Sequence, residues 1–173
     1  MKKKLSVRLL VRLALFTGLA LVLFVVEAQI PLPVPLPGFK LGLSNVVTLF
    51  ILFWDGPLAA LAVLLVRIGL GTVVTGQVSA LFYSLAGGLL SLGCGILLKR
   101  FLTDRQLWVA GVVCGLAHNV GQVLVGMLIT KTPSLLWYLP FLAAVGMVNG
   151  LFTGLIATLV LRQVKKIEKT KKS

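Results

Sequence analysis

Acidic residues are scarce in this chain. Its 173 residues hold 4 Asp+Glu against 17 Lys+Arg, and only 12% of them carry charge. A soluble domain usually has about a quarter charged residues. The deficit, with 58% hydrophobic residues and a mean hydropathy of +1.06, excludes an ordinary soluble fold and indicates an integral membrane protein. The shortage also excludes several chemistries. No Walker A sequence is present, so the chain has no ATPase of its own. Prenyl transfer needs aspartate-rich clusters to hold magnesium and diphosphate, whereas Asp55 and Asp104 each stand alone. The single histidine, His118, lacks a carboxylate partner in its segment, which argues against a Ser/His/Asp or Cys/His centre and against a metal site. Cys94 and Cys114 lie inside apolar runs and read as small packing residues. The chain therefore reads as no enzyme on its own, with no cofactor.

What is present is apolar sequence in long runs. A spanning helix needs about 20 mostly apolar residues, and six runs qualify in outline: about 8–29, 40–54, 57–75, 78–98, 107–129 and 137–161. They define one transmembrane domain over 1–173 with a basic tail at 162–173. The second run is short and ends at Trp54-Asp55-Gly56-Pro57, an interfacial aromatic followed by turn residues. The predicted fold is an all-α bundle of six transmembrane helices. With six spans both termini share a side, and that side collects Lys2, Lys3, Lys4, Arg8, Arg12, Lys99, Arg100, Arg105, Arg162, Lys165, Lys166, Lys169, Lys171 and Lys172. Lys40 and Lys131 remain on the other side and Arg67 lies inside a span. The positive-inside rule then places both termini in the cytoplasm, in a bacterial inner membrane. The basic start and Val26-Glu27-Ala28 also loosely resemble a signal peptide with its cleavage site. Cleavage would leave five spans and separate the two basic regions, so the six-span reading is preferred. The clustering of basic residues at the ends of apolar runs argues against a nucleic-acid surface.

Polar residues inside a bilayer are costly and tend to mark sites. Glu27 and Gln29 fall at the outer end of the first run, and Lys40, Ser44 and Asn45 at the outer start of the second. Arg67 is near the middle of the third, Tyr83 and Ser84 in the outer part of the fourth, and Asn149 at the middle of the sixth. In the fifth, GVVCGLAHNVGQVLVG places Gly111, Gly115, His118 or Asn119, Gln122 and Gly126 on one face. The inner halves are apolar or small, which describes a pocket open to the outside and closed below. Substrate contact by Glu27, Lys40, Asn45, Arg67, Tyr83, His118, Asn119, Gln122 and Asn149 is one reading. Interhelical hydrogen bonds are the plain alternative, at about 0.6 kcal/mol each, with Arg67 paired to Glu27. The guanidinium of Arg67 suits a carboxylate or phosphate, so a substrate here is a small anion. Small residues four apart, Gly87/Ser91/Gly95 and Gly146/Gly150/Gly154, suit close helix packing, and Ala14 with Gly18 suits packing or docking of a partner. The stretch IPLPVPLPGFK at 30–40 favours an extended polyproline rod, either a lid over the pocket or a rigid connector.

The runs PGFKLGLSNVVTLFIL, YSLAGGLLS and GLAHNVGQ resemble a family of small bacterial membrane proteins known as heptaprenyl diphosphate synthase component I or Gx transporters. The resemblance extends from about Glu27 to Asn149. That family is in turn similar to the substrate-binding S components of energy-coupling factor (ECF) transporters. The resemblance implies a six-helix S-component-like fold, an outer pocket roofed by the first loop, uptake of a small molecule, and docking of the first helix on a coupling subunit served by ATPases. Ala14 and Gly18 match the expected docking pattern only in part. The synthase name implies instead a non-catalytic membrane subunit or anchor for a separate catalytic chain in isoprenoid and quinone synthesis.

Overall fold

The computed structural model describes residues 6–30 and 40–170. The proline-rich stretch 31–39 lies outside the described residues, and with it the lid or connector expected there. The described chain forms α1 (Val7–Glu27), α2 (Asn45–Trp54), α3 (Pro57–Thr75), α4 (Val78–Leu98), α5 (Leu107–Thr130) and α6 (Leu139–Thr170). Short 3-10 turns at Asp104–Gln106 and Pro133–Tyr138 lead into α5 and α6. An all-helical fold is what a bilayer demands, because a helix satisfies its backbone groups within one segment. The helix ends follow local chemistry. Ser6 caps α1 by accepting from the Leu9 amide at 3.2 Å, and Pro57 opens α3 at the first helical position, where no amide partner is lost.

Five of these helices, α1, α3, α4, α5 and α6, are long and apolar enough to cross a membrane. The expectation of six spanning helices is therefore corrected. α2 has ten residues, about 15 Å at 1.5 Å per residue, half of a hydrocarbon core of about 30 Å. The reason lies at Gly42, whose φ of +86° is open to glycine but strained for other residues. A side chain there would also collide, since a Cβ would sit 2.7 Å from Asn45 Nδ2 and 2.9 Å from His118 Cδ2. Residues 40–44 consequently descend as irregular backbone, and the helix begins only at Asn45. Val47 through Phe53 are buried without interruption, so α2 forms the apolar core of the bundle.

α5 and α6 meet backbone to backbone. A Cβ on Gly111 would lie 2.2 Å from the Gly150 carbonyl oxygen, and one on Gly115 would lie 2.1 Å from that of Gly146. Glycines at these positions let two helices approach closely where no hydrophobic effect drives them together. α1 stands more to the side. Its buried residues, Thr17, Ala20, Phe24 and Glu27, form one stripe at helical spacing, flanked by half-buried Leu13, Phe16 and Leu23, and the opposite face is open.

The basic end of the bundle is tied by polar contacts between elements. Arg12 of α1 pairs with Asp55 at 3.0 Å and lies 4.2 Å from the centre of the Trp54 ring. Lys99 donates to the Leu52 carbonyl at the end of α2, and Lys165 of α6 pairs with Asp104. α6 is 32 residues long, about 48 Å, so it outlasts the hydrocarbon by several turns and carries residues 162–170 as helix.

Gly115→Ala is expected to destabilise the protein by about 1–3 kcal/mol or more, because its methyl group meets backbone that cannot retreat. Gly69→Ala, where a Cβ meets nothing within 4 Å, should be neutral or gain up to about 1 kcal/mol of helix propensity. Chemical unfolding of both variants in detergent checks the contrast.

Candidate functional site

The irregular segment Lys40–Ser44 lies inside the helix bundle, where unpaired backbone groups cost several kcal/mol each. Its partners are side chains. Gln122 of α5 faces Lys40 with both ends of its amide, its Oε1 accepting from the Lys40 amide at 3.1 Å and its Nε2 donating to the Lys40 carbonyl at 3.0 Å. Asn149 of α6 donates to the Leu41 carbonyl at 2.9 Å. Glu27, at the end of α1, accepts from the Gly42 amide. Three helices thus grip three consecutive residues of one strand-like segment.

Around this grip sits a buried charged cluster. Glu27, Lys40, Arg67 and His118 are each 2–3% exposed, and Gln122 and Asn119 are fully enclosed. Lys40 Nζ lies 3.0 Å from the centre of the Phe24 ring, with Arg67 Cζ 5.7 Å from the same centre. Space for that ring comes from Gly71 of α3, where a Cβ would lie 2.4 Å from Phe24 Cε1. A desolvated cation–π contact contributes about 2 kcal/mol. Removing an ammonium from water costs several kcal/mol. The ring alone therefore does not hold the Lys40 charge, and Glu27, within electrostatic reach of both Lys40 and Arg67, supplies the balance for one of the two cations. Among the described residues, Lys40 Nζ, Arg67 Nε and Glu27 Oε2 have no hydrogen-bond partner.

The structure brings together most of the residues singled out from the sequence, in ways that differ among them. Arg67 and Glu27 do not form a direct ion pair; Arg67 Nη2 instead reaches Asn45 Oδ1 at 3.4 Å, while Glu27 caps the backbone of Gly42. His118 is in close contact with Gln122 through Nε2, and its other ring nitrogen lies against Gly87. Tyr83 is buried on α4. Asn119 turns toward α6 and donates to the Leu142 carbonyl at 2.6 Å, so it serves the helix contact and not the cluster. Ala14 and Gly18 are apart from all of these. They line an open groove of about 460 Å³ between α1 and α3 with apolar neighbours such as Leu13, Val63 and Val66. Two contributors, Phe24 and Gly42, escape sequence reasoning. Gly42 carried a signal, since a glycine between Lys40 and Ser44 is a poor start for a helix.

Where an open pocket is expected, the chain's own segment fills the centre. The cavity that lies against it, bordered by Gly42, Asn45, Thr48, Ser91 and Asn149, measures about 20 Å³, room for about one water. Thr48 Oγ1, in its lining, is buried without a hydrogen-bond partner among the described residues. Among the described residues no three His, Cys, Asp or Glu side chains come together as a metal site would require.

Residues 16–160 match the family described as heptaprenyl diphosphate synthase component I. The chain belongs to that family. The matched region runs from α1 into α6 and so includes every residue of the buried cluster of this component I protein. No curated protein and no solved structure matches the chain.

Gln122→Leu removes both partners of Lys40 at nearly constant volume. It is expected to cost about 2–5 kcal/mol, because two backbone groups are left unpaired in the interior. Gln122→Glu keeps the acceptor and loses one donor, and should fall between this variant and the parent. Unfolding midpoints in detergent order the three proteins.

Proposed function

We propose that this component I protein is a non-catalytic membrane subunit of a heptaprenyl diphosphate synthase, acting with a separate catalytic chain. The observation that carries this reading is the family match across 16–160 in a chain made almost wholly of apolar helices. The product of such a synthase is an amphiphile whose long hydrocarbon chain belongs in the bilayer, so a membrane subunit has a physical task. The sequence adds support, because Asp55 and Asp104 are each isolated and each engaged with a cation, Arg12 and Lys165 respectively. Neither is arranged to hold magnesium against a diphosphate. In this reading the chain sits in the bacterial cytoplasmic membrane. Although α2 is too short to span alone, segment 40–44 and α2 together return the chain to the end where Arg12 meets Asp55 and Lys165 meets Asp104, so the start of α1 and the end of α6 share the basic side. The positive-inside rule then puts that side in the cytoplasm.

A specific observation favours a second reading. Two buried cations, Lys40 and Arg67, lie near one carboxylate, Glu27, and polar atoms of all three lack partners among the described residues. Charges at such depth usually belong to a binding site. An S-component-like protein that takes up a small anionic molecule, with Arg67 attracting it and His118, Gln122 and Asn45 orienting it, would use that excess charge. Uptake would require the segment 40–44 to yield its place, and Ala14 and Gly18 would face an ECF coupling subunit.

Purification of the tagged protein from its native membranes under gentle conditions, with mass spectrometry of what accompanies it, separates the two. A prenyl-diphosphate synthase chain is the expected companion. Recovery of two ATPases and a coupling membrane subunit would overturn the synthase reading. Arg67→Ala adds an independent check: synthase activity of the co-purified complex should remain within about twofold of the parent, whereas an uptake protein should lose ligand binding by tenfold or more, about 1.4 kcal/mol per factor of ten.

A further inference from the structure

The basic end of the bundle holds a charged feature that the buried cluster does not involve. The last part of α6 reads RQVKKIEKT. Arg162, Lys165, Lys166 and Lys169 stand at relative positions 0, 3, 4 and 7, so all four fall within about 100° of arc at 3.6 residues per turn. Ile167 and Glu168 fall outside that arc. The positive-inside rule accounts for basic residues at this end but is indifferent to the direction they face.

Here the direction is set by structure. Lys165 is paired with Asp104 of the α4–α5 connection. Together with Arg162 it forms one wall of an open cleft of about 570 Å³, and Thr103, Asp104 and Arg105 form the other. Three cations thus border a space with one carboxylate, and Lys165 already neutralises that carboxylate. The guanidiniums of Arg105 and Arg162 have no ion-pair partner among the described residues. Thr103 offers little, since its amide and hydroxyl both donate to Gln106 Oε1, at 3.1 and 3.0 Å. Recognition therefore falls to the two guanidiniums, whose forked donors match phosphate oxygens. Lys99, at the same basic end, is pushed below the ordinary lysine value, first by burial and then by Lys165, with Asp104 opposing. The connection that carries Thr103 to Arg105 is flanked in sequence by exposed apolar residues, Phe101 two positions before it at 80% exposed and Trp108 three positions after it at 44% exposed.

We propose that the cleft between Arg105 and Arg162 binds the diphosphate head of an isoprenoid lipid at the membrane surface, with the isoprenoid chain passing along Phe101 into the hydrocarbon. The choice of an isoprenoid rests on the synthase reading above; the pairing of two free guanidiniums with flanking exposed apolar residues does not. The role of the cleft would be to accept the finished product from the catalytic chain and release it into the bilayer.

The test uses the full-length protein in nanodiscs of zwitterionic lipid, titrated with radiolabelled geranylgeranyl diphosphate. Saturable binding is expected, weakened about tenfold or more in R105Q/R162Q and unchanged in R8Q, which alters a basic residue outside the cleft. An unchanged unfolding midpoint for R105Q/R162Q verifies that the variant is folded; should it shift, R162Q alone is read in its place. Parent-like affinity in the arginine variants overturns the proposal, as does equal binding of geranylgeraniol. Equal affinity for inorganic diphosphate overturns the lipid assignment. No synthase chain is present in this assay, so its failure and a failure to co-purify a synthase are separate results.

Discussion

The bundle depends on one arrangement, the capture of three consecutive backbone residues by side chains from three helices. Lys40, Leu41 and Gly42 cannot complete a helix, because the backbone at Gly42 is left-handed. Water is not available at membrane depth to satisfy their amides and carbonyls. Gln122, Asn149 and Glu27 take its place. That grip sets where α2 begins, and therefore how much of the second apolar run becomes helix. It also puts the Lys40 side chain on Phe24 and brings two cations near one carboxylate. The charged centre is a consequence of how a broken helix is anchored.

The rest of the architecture serves close approach. α5 carries the polar residues of the grip, and its glycines press directly against the backbone of α6. The same helix turns Asn119, Gly111 and Gly115 to the α6 contact while Gln122 reaches the incoming segment. Such packing is unforgiving, because backbone atoms in contact have no rotamers with which to adapt. α1, by contrast, contributes a single stripe and leaves an open apolar groove at Ala14 and Gly18. At the basic end, Arg12, Lys99 and Lys165 each cross to another element. Charge there fastens connections at the membrane surface, where such pairs need not be fully desolvated.

Several features were legible in the residues. Length and apolar character marked the five long helices, and glycines four apart marked the α5–α6 contact. The polar residues of the buried cluster stood out because they are few among so many apolar ones. Their partners did not stand out. Gln122 and Asn149 have the chemistry of ligand contacts and of backbone contacts alike, and only the path of residues 40–44 distinguishes the two. Arg67 and Glu27 were the obvious pair by charge, yet each meets a nearer polar group first. The second apolar run read as a span because hydropathy sums side chains and is blind to a single positive φ.

By itself the sequence determined that the chain is apolar, helical and basic at one end, since those properties add residue by residue. It also determined family membership, which rests on matched residues from 16 to 160. Only the tertiary structure decided that α2 stops short, that the interior is closed by the chain's own backbone, and that Arg105 and Arg162 face each other across a cleft. Those facts depend on which groups meet across 15 to 108 residues of chain, and a distance in sequence carries no direction in space.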